Sequence, residues 1–203
     1  MSFDTKSFSR TILGACVRVA KTSGFRQWLP PDKTEQPWNN PPPEQHIVGV
    51  AVQVLLQMGF RVMPEVIARE VWRAAMVKRA YRSKKGHIGR FDLVAWNTNG
   101  LPVAVLEVKS CYGSPINDLR NLAALAAAKV NCRSFLCLYA PEHGQLSARE
   151  RLDQRLRGLA RRVRLGVPEY RGTKHARCLN RGIETEQLGF AAVMVEVLGP
   201  RKR

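Results

Sequence analysis

Three side chains, Asp92, Glu107 and Lys109, stand where otherwise apolar runs turn abruptly polar. Asp92 lies near the start of Phe91-Asp-Leu-Val-Ala-Trp96, and Glu107 and Lys109 end the run that begins at Leu101. Asn97-Thr-Asn-Gly100 separates the two runs, and Asn-Gly between apolar stretches is a strong hairpin signal. In an antiparallel hairpin the start of one strand and the end of the next lie at the same edge of the sheet. Residues two apart point to one face, so Glu107 and Lys109 project together while Val108 points away. Two carboxylates and one ammonium therefore converge. Carboxylates are hard oxygen ligands that suit Mg²⁺, with Mn²⁺ as a substitute. Such an ion polarises a phosphoryl oxygen and acidifies a bound water. A neighbouring lysine orients that water and offsets the charge that develops on phosphorus. The plainer alternative makes Asp92 a solvated strand end and Glu107–Lys109 a surface pair.

The chain around these residues has 203 amino acids, enough for one domain with its own core, and 45% of them are hydrophobic. A formal charge of +17 points to a polyanionic partner, because each phosphate neutralised releases condensed counterions. Nucleic acid fits that charge best. The five cysteines are widely spaced and contain no CxxC pair, which argues against a disulfide framework or a zinc knuckle and for a reducing compartment. Cys132 and Cys137 flank or sit in an apolar run and read as buried. No stretch reaches the roughly 20 apolar residues that span a bilayer, so a membrane is not expected as a partner. A cytoplasmic or nucleoid-associated location follows. The basic, serine-containing start also has transit-peptide character, although an amphipathic helix with Phe8, Ile12, Leu13, Cys16, Val17 and Ala20 on one face explains it more simply. No Walker A, GxGxxG, HExxH or GxSxG pattern occurs, which disfavours nucleotide hydrolysis, dinucleotide chemistry, zincin chemistry and serine esterase chemistry.

The elements that must position the three residues follow from periodicity. The N-terminal helix and a Pro/Asn-rich loop, residues 1–42, are expected to pack on a core of residues 43–203, as one domain overall. A helix from Glu44 to Met58, closed by Gly59, is apolar nearly all round and is expected to be mostly buried. A short strand, Phe60 to Met63, follows. Pro64 to Ser83 is read as a helix, with strand over Glu65 to Trp72 as the alternative. Beyond the hairpin come a helix from Asn117 or Asp118 to Val130, a buried strand from Ser134 to Tyr139 and a basic helix from Ser147 to Leu165. An irregular basic segment and a last strand, Phe190 to Leu198, complete the chain. Helices interleaved with strands predict a three-layer α/β domain with a central mixed sheet.

At Gly89-Arg-Phe-Asp92-Leu-Val and Leu106-Glu107-Val-Lys109-Ser the sequence resembles the PD-(D/E)xK nuclease superfamily, with Phe91 in place of the nominal proline. The resemblance covers about Pro43 to Tyr139 as an α-β-β-β-α-β order, and leaves the N-terminal helix and the basic tail unexplained. It implies a restriction endonuclease-like core and Mg²⁺-dependent hydrolysis of phosphodiester bonds in DNA, as an endonuclease. It implies that Asp92 and Glu107 bind the metal, that the Val108 carbonyl adds a ligand, and that Lys109 positions or activates the attacking water. Glu44, in the first turn of its helix, is a fourth member under this likeness, or else an acid that favours the helix dipole. The alternative function is a nuclease-fold subunit of a larger complex that binds DNA or RNA without cutting it, since fold does not imply function.

Other residues are candidates for contact with the polymer. Lys84, Lys85 and Arg90 belong to a concentrated basic stretch, and Arg90 either meets phosphate or solvates a strand edge. Arg155, Arg161 and Arg162 belong to a helix dominated by arginine, where a plain solvated face would mix signs. Such contacts position the polymer rather than read its bases. DNA is favoured over RNA, and a homodimer is compatible with double-strand cutting. Ser110 reads as a strand terminus, Asp118 as the cap of the following helix, and Tyr112 and His87 as weak individual contacts.

Overall fold

The structure, a computed structural model, describes residues 3–22, 44–75, 89–111, 114–128, 131–141, 146–166, 179–187 and 190–199. Its elements in chain order are α1 (Thr5–Thr22), α2 (Glu44–Gln57), β1 (Arg61–Ile67), α3 (Ala68–Ala74), β2 (Arg90–Trp96) and β3 (Pro102–Ser110). Then come α4 (Ile116–Ala127), β4 (Arg133–Pro141), α5 (Ala148–Gly166), β5 (Leu179–Gln187) and β6 (Phe190–Val197). The six strands form one mixed sheet in the order β1-β2-β3-β4-β6-β5. Only β3 and β4 run parallel. A parallel pair needs a crossover, and α4 supplies it.

The chain is thus a mixed α/β fold with helices on both faces of the sheet. On one face α1 and α2 bury Phe8, Ile12, Ile47 and Leu55 against Leu93, Leu106, Val108 and Phe135. On the other, α3, α4 and α5 bury Trp72, Leu119, Leu122 and Leu152 against Val94, Val105, Leu136 and Val193. Strand alternation explains the division: Leu106 and Val108 face α1 and α2, while Val105 faces α4. The N-terminal helix covers the sheet and also lies along α2. It places Cys16 Sγ 3.6 Å from Cys137 Sγ in the core, both as free thiols. Cys132 and Cys137 are buried strand or strand-edge cysteines, as their apolar surroundings suggest.

Local signals account for several boundaries. Gly59 adopts φ 82°, and Phe60 N–H and Gly59 N–H donate to the carbonyls of Leu55 and Leu56, so a left-handed glycine closes α2. At the start of α5, Ser147 and Glu150 cap each other: Glu150 N–H donates to Ser147 Oγ, and Ser147 N–H donates to Glu150 Oε2. The hairpin turn is closed by Asn97, whose Oδ1 accepts from the N–H groups of Asn99 and Leu101 while Gly100 takes φ 72°.

Four expectations are revised. The strand β1 runs on to Ile67, and the helix expected over Pro64 to Ser83 is reduced, among the described residues, to the short α3 that begins at Ala68. The helix α2 buries one face only: Ile47, Val48, Ala51 and Leu55 are inside, whereas Leu56 is 52% exposed. Its apolar content exceeds the width of the face that the sheet and α1 can cover. On α1, Ala15 and Val19 are buried, while Val17 and Ala20 are only half-buried. Finally, part of the segment read as irregular and basic forms β5, which pairs with β6 across a register shift between Arg181 and Glu184. Its polar sequence, LNRGIETEQ, suits an edge strand and hides the strand signal.

Candidate active site

The site begins where the sheet comes apart. The ladder between β2 and β3 ends at Leu93↔Leu106, one pair short of Asp92 and Glu107. The ladder between β1 and β2 skips Asp92 as well, passing from Pro64↔Leu93 to Val66↔Phe91. Opposite that gap Glu65 adopts φ 54°, a left-handed conformation that costs a non-glycine residue on the order of 1–3 kcal/mol. Asp92 is therefore the one residue of β2 in neither ladder. Its side chain replaces the missing backbone partner: Oδ2 accepts the Val108 N–H at 2.7 Å. Gly89, just before the strand, lies so close to α4 that a Cβ there would come within 2.7 Å of Asn121 Nδ2.

The structure brings Asp92 and Glu107 side by side, close enough that each acts on the ionisation of the other. Glu107 is 1% exposed, and its Oε1 has no hydrogen-bond partner. Burial first, then the charge of Asp92 and that of Asp118, push its carboxyl up to about 10. Burial likewise raises Asp92, against the opposing pull of the Val108 N–H and the Lys109 charge. Two carboxyls this close in a poorly solvated place disfavour double ionisation, and burial with the charge of Asp92 favours the protonated form of Glu107.

Lys109 stands beside the pair, held from two layers of the fold. Its Nζ donates to Glu44 Oε2 at 2.8 Å, and Asp118 Oδ2 lies 3.7 Å away on the other side. Burial alone would favour the neutral amine, but the Glu44 hydrogen bond and the charges of Asp118, Asp92 and Glu44 outweigh it and hold the ammonium above its ordinary range. The ammonium form is thus favoured between the two carboxylates. The other Glu44 oxygen accepts from Ser110 N–H at 3.1 Å, so both oxygens of Glu44 are engaged with the end of β3, not with Asp92 or Glu107. Ser110 is itself buried and contributes that backbone donor as well as ending β3.

Asp118 departs from its expected role. The start of α4 is capped at Pro115 without any side-chain hydrogen bond, and the Asp118 carboxylate instead pairs with Lys109. Burial raises its carboxyl, with Lys109 opposing. No sequence motif singles it out, because the approach depends on how α4 docks against β3. Val108 buries its side chain toward α1 and α2 and gives its N–H to Asp92.

The expected polymer contacts are only partly brought near this site. Arg90 is exposed and pairs with Ile67 across β1–β2, two residues from Asp92. Arg155 is half-buried; with Arg151 it lies close enough to Cys111, just beyond β3, to pull against the burial that raises that thiol. Arg161 is exposed on α5. At 100° per residue Arg161 does not share a helix face with Arg155, so the arginines of α5 form no single stripe. Of the α5 arginines, Arg149 pairs with Glu184 at 3.0 Å, while Arg181 of β5 pairs with Asp153 of α5 and with Glu184. Lys84, Lys85, His87 and Tyr112 lie outside the described residues, as does the side chain of Arg162.

Could Asp92 and Glu107 hold a divalent cation? The buried, partnerless Glu107 Oε1 and the protonated form favoured beside Asp92 are the electrostatic signature of a place that a cation would satisfy. Two carboxylates alone form a small ligand set, and among the described residues no group of three or more His, Cys, Asp or Glu side chains is arranged to hold a metal ion. That ligand number suits Mg²⁺, which keeps several waters and takes one or two carboxylates with phosphate oxygens. No family profile, curated protein or solved structure matches the chain. No described helix is long and apolar enough to cross a membrane.

Proposed function

We propose that the chain is a divalent-metal-dependent nuclease with a restriction endonuclease-like core, hydrolysing phosphodiester bonds in DNA. The observation that carries this reading is Glu107, a buried carboxyl with one partnerless oxygen, set against Asp92, the one residue of β2 in neither ladder. A buried acid pair with no cation is a poor way to stabilise a fold. It is a good way to hold a Mg²⁺ or Mn²⁺ ion, with Asp92 and Glu107 as its protein ligands. When bound, that ion supplies charge neutralisation at the phosphate and a more acidic water.

The chain's own residues do the rest. Glu107 would hold the ion as a carboxylate, its proton released to solvent, and Asp92 is oriented by the Val108 N–H. Lys109, kept cationic by Glu44 and Asp118, donates hydrogen bonds to the phosphate or the attacking water and offsets charge building on phosphorus. The net charge of +17 would draw the polymer in, and Arg90, two residues from Asp92, and Arg155, near Cys111 at the end of β3, would meet its phosphates.

The test is incubation of purified protein with supercoiled and linear DNA in Mg²⁺, Mn²⁺ or EDTA. Metal-dependent cleavage that disappears in Glu107→Gln and Lys109→Ala is expected. Cleavage that survives either substitution overturns the site. One observation favours a second reading, a nucleic-acid-binding subunit without chemistry: one Asp92 oxygen is already committed to Val108 N–H. Binding with a steep salt dependence, no metal affinity and no cleavage selects that reading. Competition between matched DNA and RNA decides the polymer.

A further inference from the structure

The nuclease reading leaves Asp118 without a part, yet its carboxylate is aimed at the centre of the site. It sits in the first turn of α4, 3.7 Å from Lys109 Nζ, and no side-chain cap is made at that helix start. Glu44 approaches the same ammonium at 2.8 Å from α2, on the opposite face of the sheet. Lys109 is only 20% exposed, and Asp118 only 25%. A long, flexible side chain is thus stopped between two carboxylates carried by different layers.

We propose that Asp118 is a positioning residue for Lys109, clamping its ammonium against Glu44 at a fixed distance from the Asp92–Glu107 pair. This inference rests on the proposed nuclease chemistry for its catalytic consequence, but the clamp itself is a property of the protein without metal or substrate. The physical argument concerns entropy and charge. A lysine side chain loses on the order of 1.5–2 kcal/mol of rotamer freedom when fixed. One hydrogen bond to an exposed carboxylate offsets little of that, whereas two flanking carboxylates in a half-buried setting add attraction that solvent screens less. With Glu44 alone, the flexible lysine stem could still sample several positions around that single carboxylate. With Asp118 opposite, the only place where both charges are met lies between the layers. Glu44 spends its second oxygen on Ser110 N–H, which ties this carboxylate to the end of β3 and makes it a fixed post. Asp118 completes the clamp from the other layer.

A plain helix-dipole role for Asp118 predicts something different: its loss would lower stability slightly and leave Lys109 unchanged. The two are separated by the lysine ammonium NMR signal of the full chain labelled with ¹⁵N-lysine, recorded without metal. The clamp predicts one slowly exchanging ammonium resonance, assigned by its loss in Lys109→Met. In Asp118→Asn, which keeps shape and removes charge, this resonance should exchange roughly tenfold faster or broaden away. Asp118→Glu should restore it. In DNA cleavage Asp118→Asn should lower kcat about 10- to 100-fold with KM changed less than about twofold, because positioning matters most in the transition state. An ammonium signal unchanged in Asp118→Asn overturns the clamp, as does a mobile Lys109 in the wild-type protein. If the wild-type protein does not cut DNA, the nuclease reading fails separately, and the ammonium signal alone still decides whether Asp118 holds Lys109.

Discussion

The two ends of the β2–β3 hairpin are built on opposite principles. At the turn, Asn97 satisfies the N–H groups of Asn99 and Leu101 with one side-chain oxygen, and Gly100 takes a left-handed conformation without cost. The turn backbone there is satisfied mainly by its own neighbours in sequence. At the other end the ladders part, Glu65 holds a conformation unfavourable to its type, and Glu107 is buried with a partnerless oxygen. The first end stabilises the sheet, and the second is maintained at the expense of stability. The left-handed Glu65 and the buried carboxyl of Glu107 thus fall at the same end of the hairpin, opposite the turn.

The sharpest way to break this contrast is Glu107→Gln. It should lower metal-dependent cleavage by about 10³-fold or more, and yet make the metal-free protein more stable. The sign follows from linkage. Glu107 in the folded protein is raised to about 10 from an ordinary 4.5, so its favourable contribution is fully present below about pH 4.5 and is lost as pH rises toward 10. Glutamine mimics the protonated acid at every pH. The gain should therefore approach about 3 kcal/mol at pH 7 and shrink toward zero near pH 4.5, as read from urea midpoints. A Glu107→Gln protein less stable than wild type at pH 8 would show that the buried carboxyl is not strained.

Cation binding should act in the same direction. Because a divalent ion must displace the proton on Glu107, Mn²⁺ should bind more tightly as pH rises from 6 to 8, approaching about tenfold per pH unit. The accompanying rise in melting temperature should grow with pH, and it should vanish in Glu107→Gln. Calorimetry in buffers of different ionisation enthalpy should count about one proton released per ion.

Two smaller effects address the stable end and the strained edge. Asn97→Ala removes the acceptor for two turn N–H groups and should cost about 1 kcal/mol, with cleavage per folded molecule unchanged. Cleavage lost in step with stability would mean that the two ends are coupled. Glu65→Gly should do the reverse, stabilising by up to about 1 kcal/mol as the left-handed strain is relieved, offset in part by glycine's greater freedom in the unfolded chain. The smallest change expected is in DNA binding by Arg155→Ala: a few-fold weakening, with the salt slope reduced by about one.

Much of this was legible beforehand because it is local. The Asn-Gly turn and the two-residue alternation place Asp92, Glu107 and Lys109 at one sheet edge without any knowledge of the rest. Glycine 59 and the Ser147–Glu150 pair likewise mark helix ends through neighbours in sequence. The errors fall where context overrides pattern. The apolar helix α2 looks buried all round, but the sheet and α1 leave Leu56 in solvent. The polar β5 looks irregular, yet it is paired because β6 offers a free edge.

By itself, then, the sequence determined the hairpin, the identity of the three residues at its open edge and the strong positive charge around them. Only the tertiary structure decided what that edge became. Glu44 and Lys109 are 65 residues apart in the chain, and they meet because α2 docks on one face of the sheet while α4 brings Asp118 from the other. Burial of Glu107, the gap opposite Glu65 and the clamp on Lys109 all arise from that docking. Neighbouring residues set strand and turn geometry through short-range sterics and hydrogen bonds. The ionisation of a carboxyl is instead set by the layers that exclude water around it and by the charges they bring close.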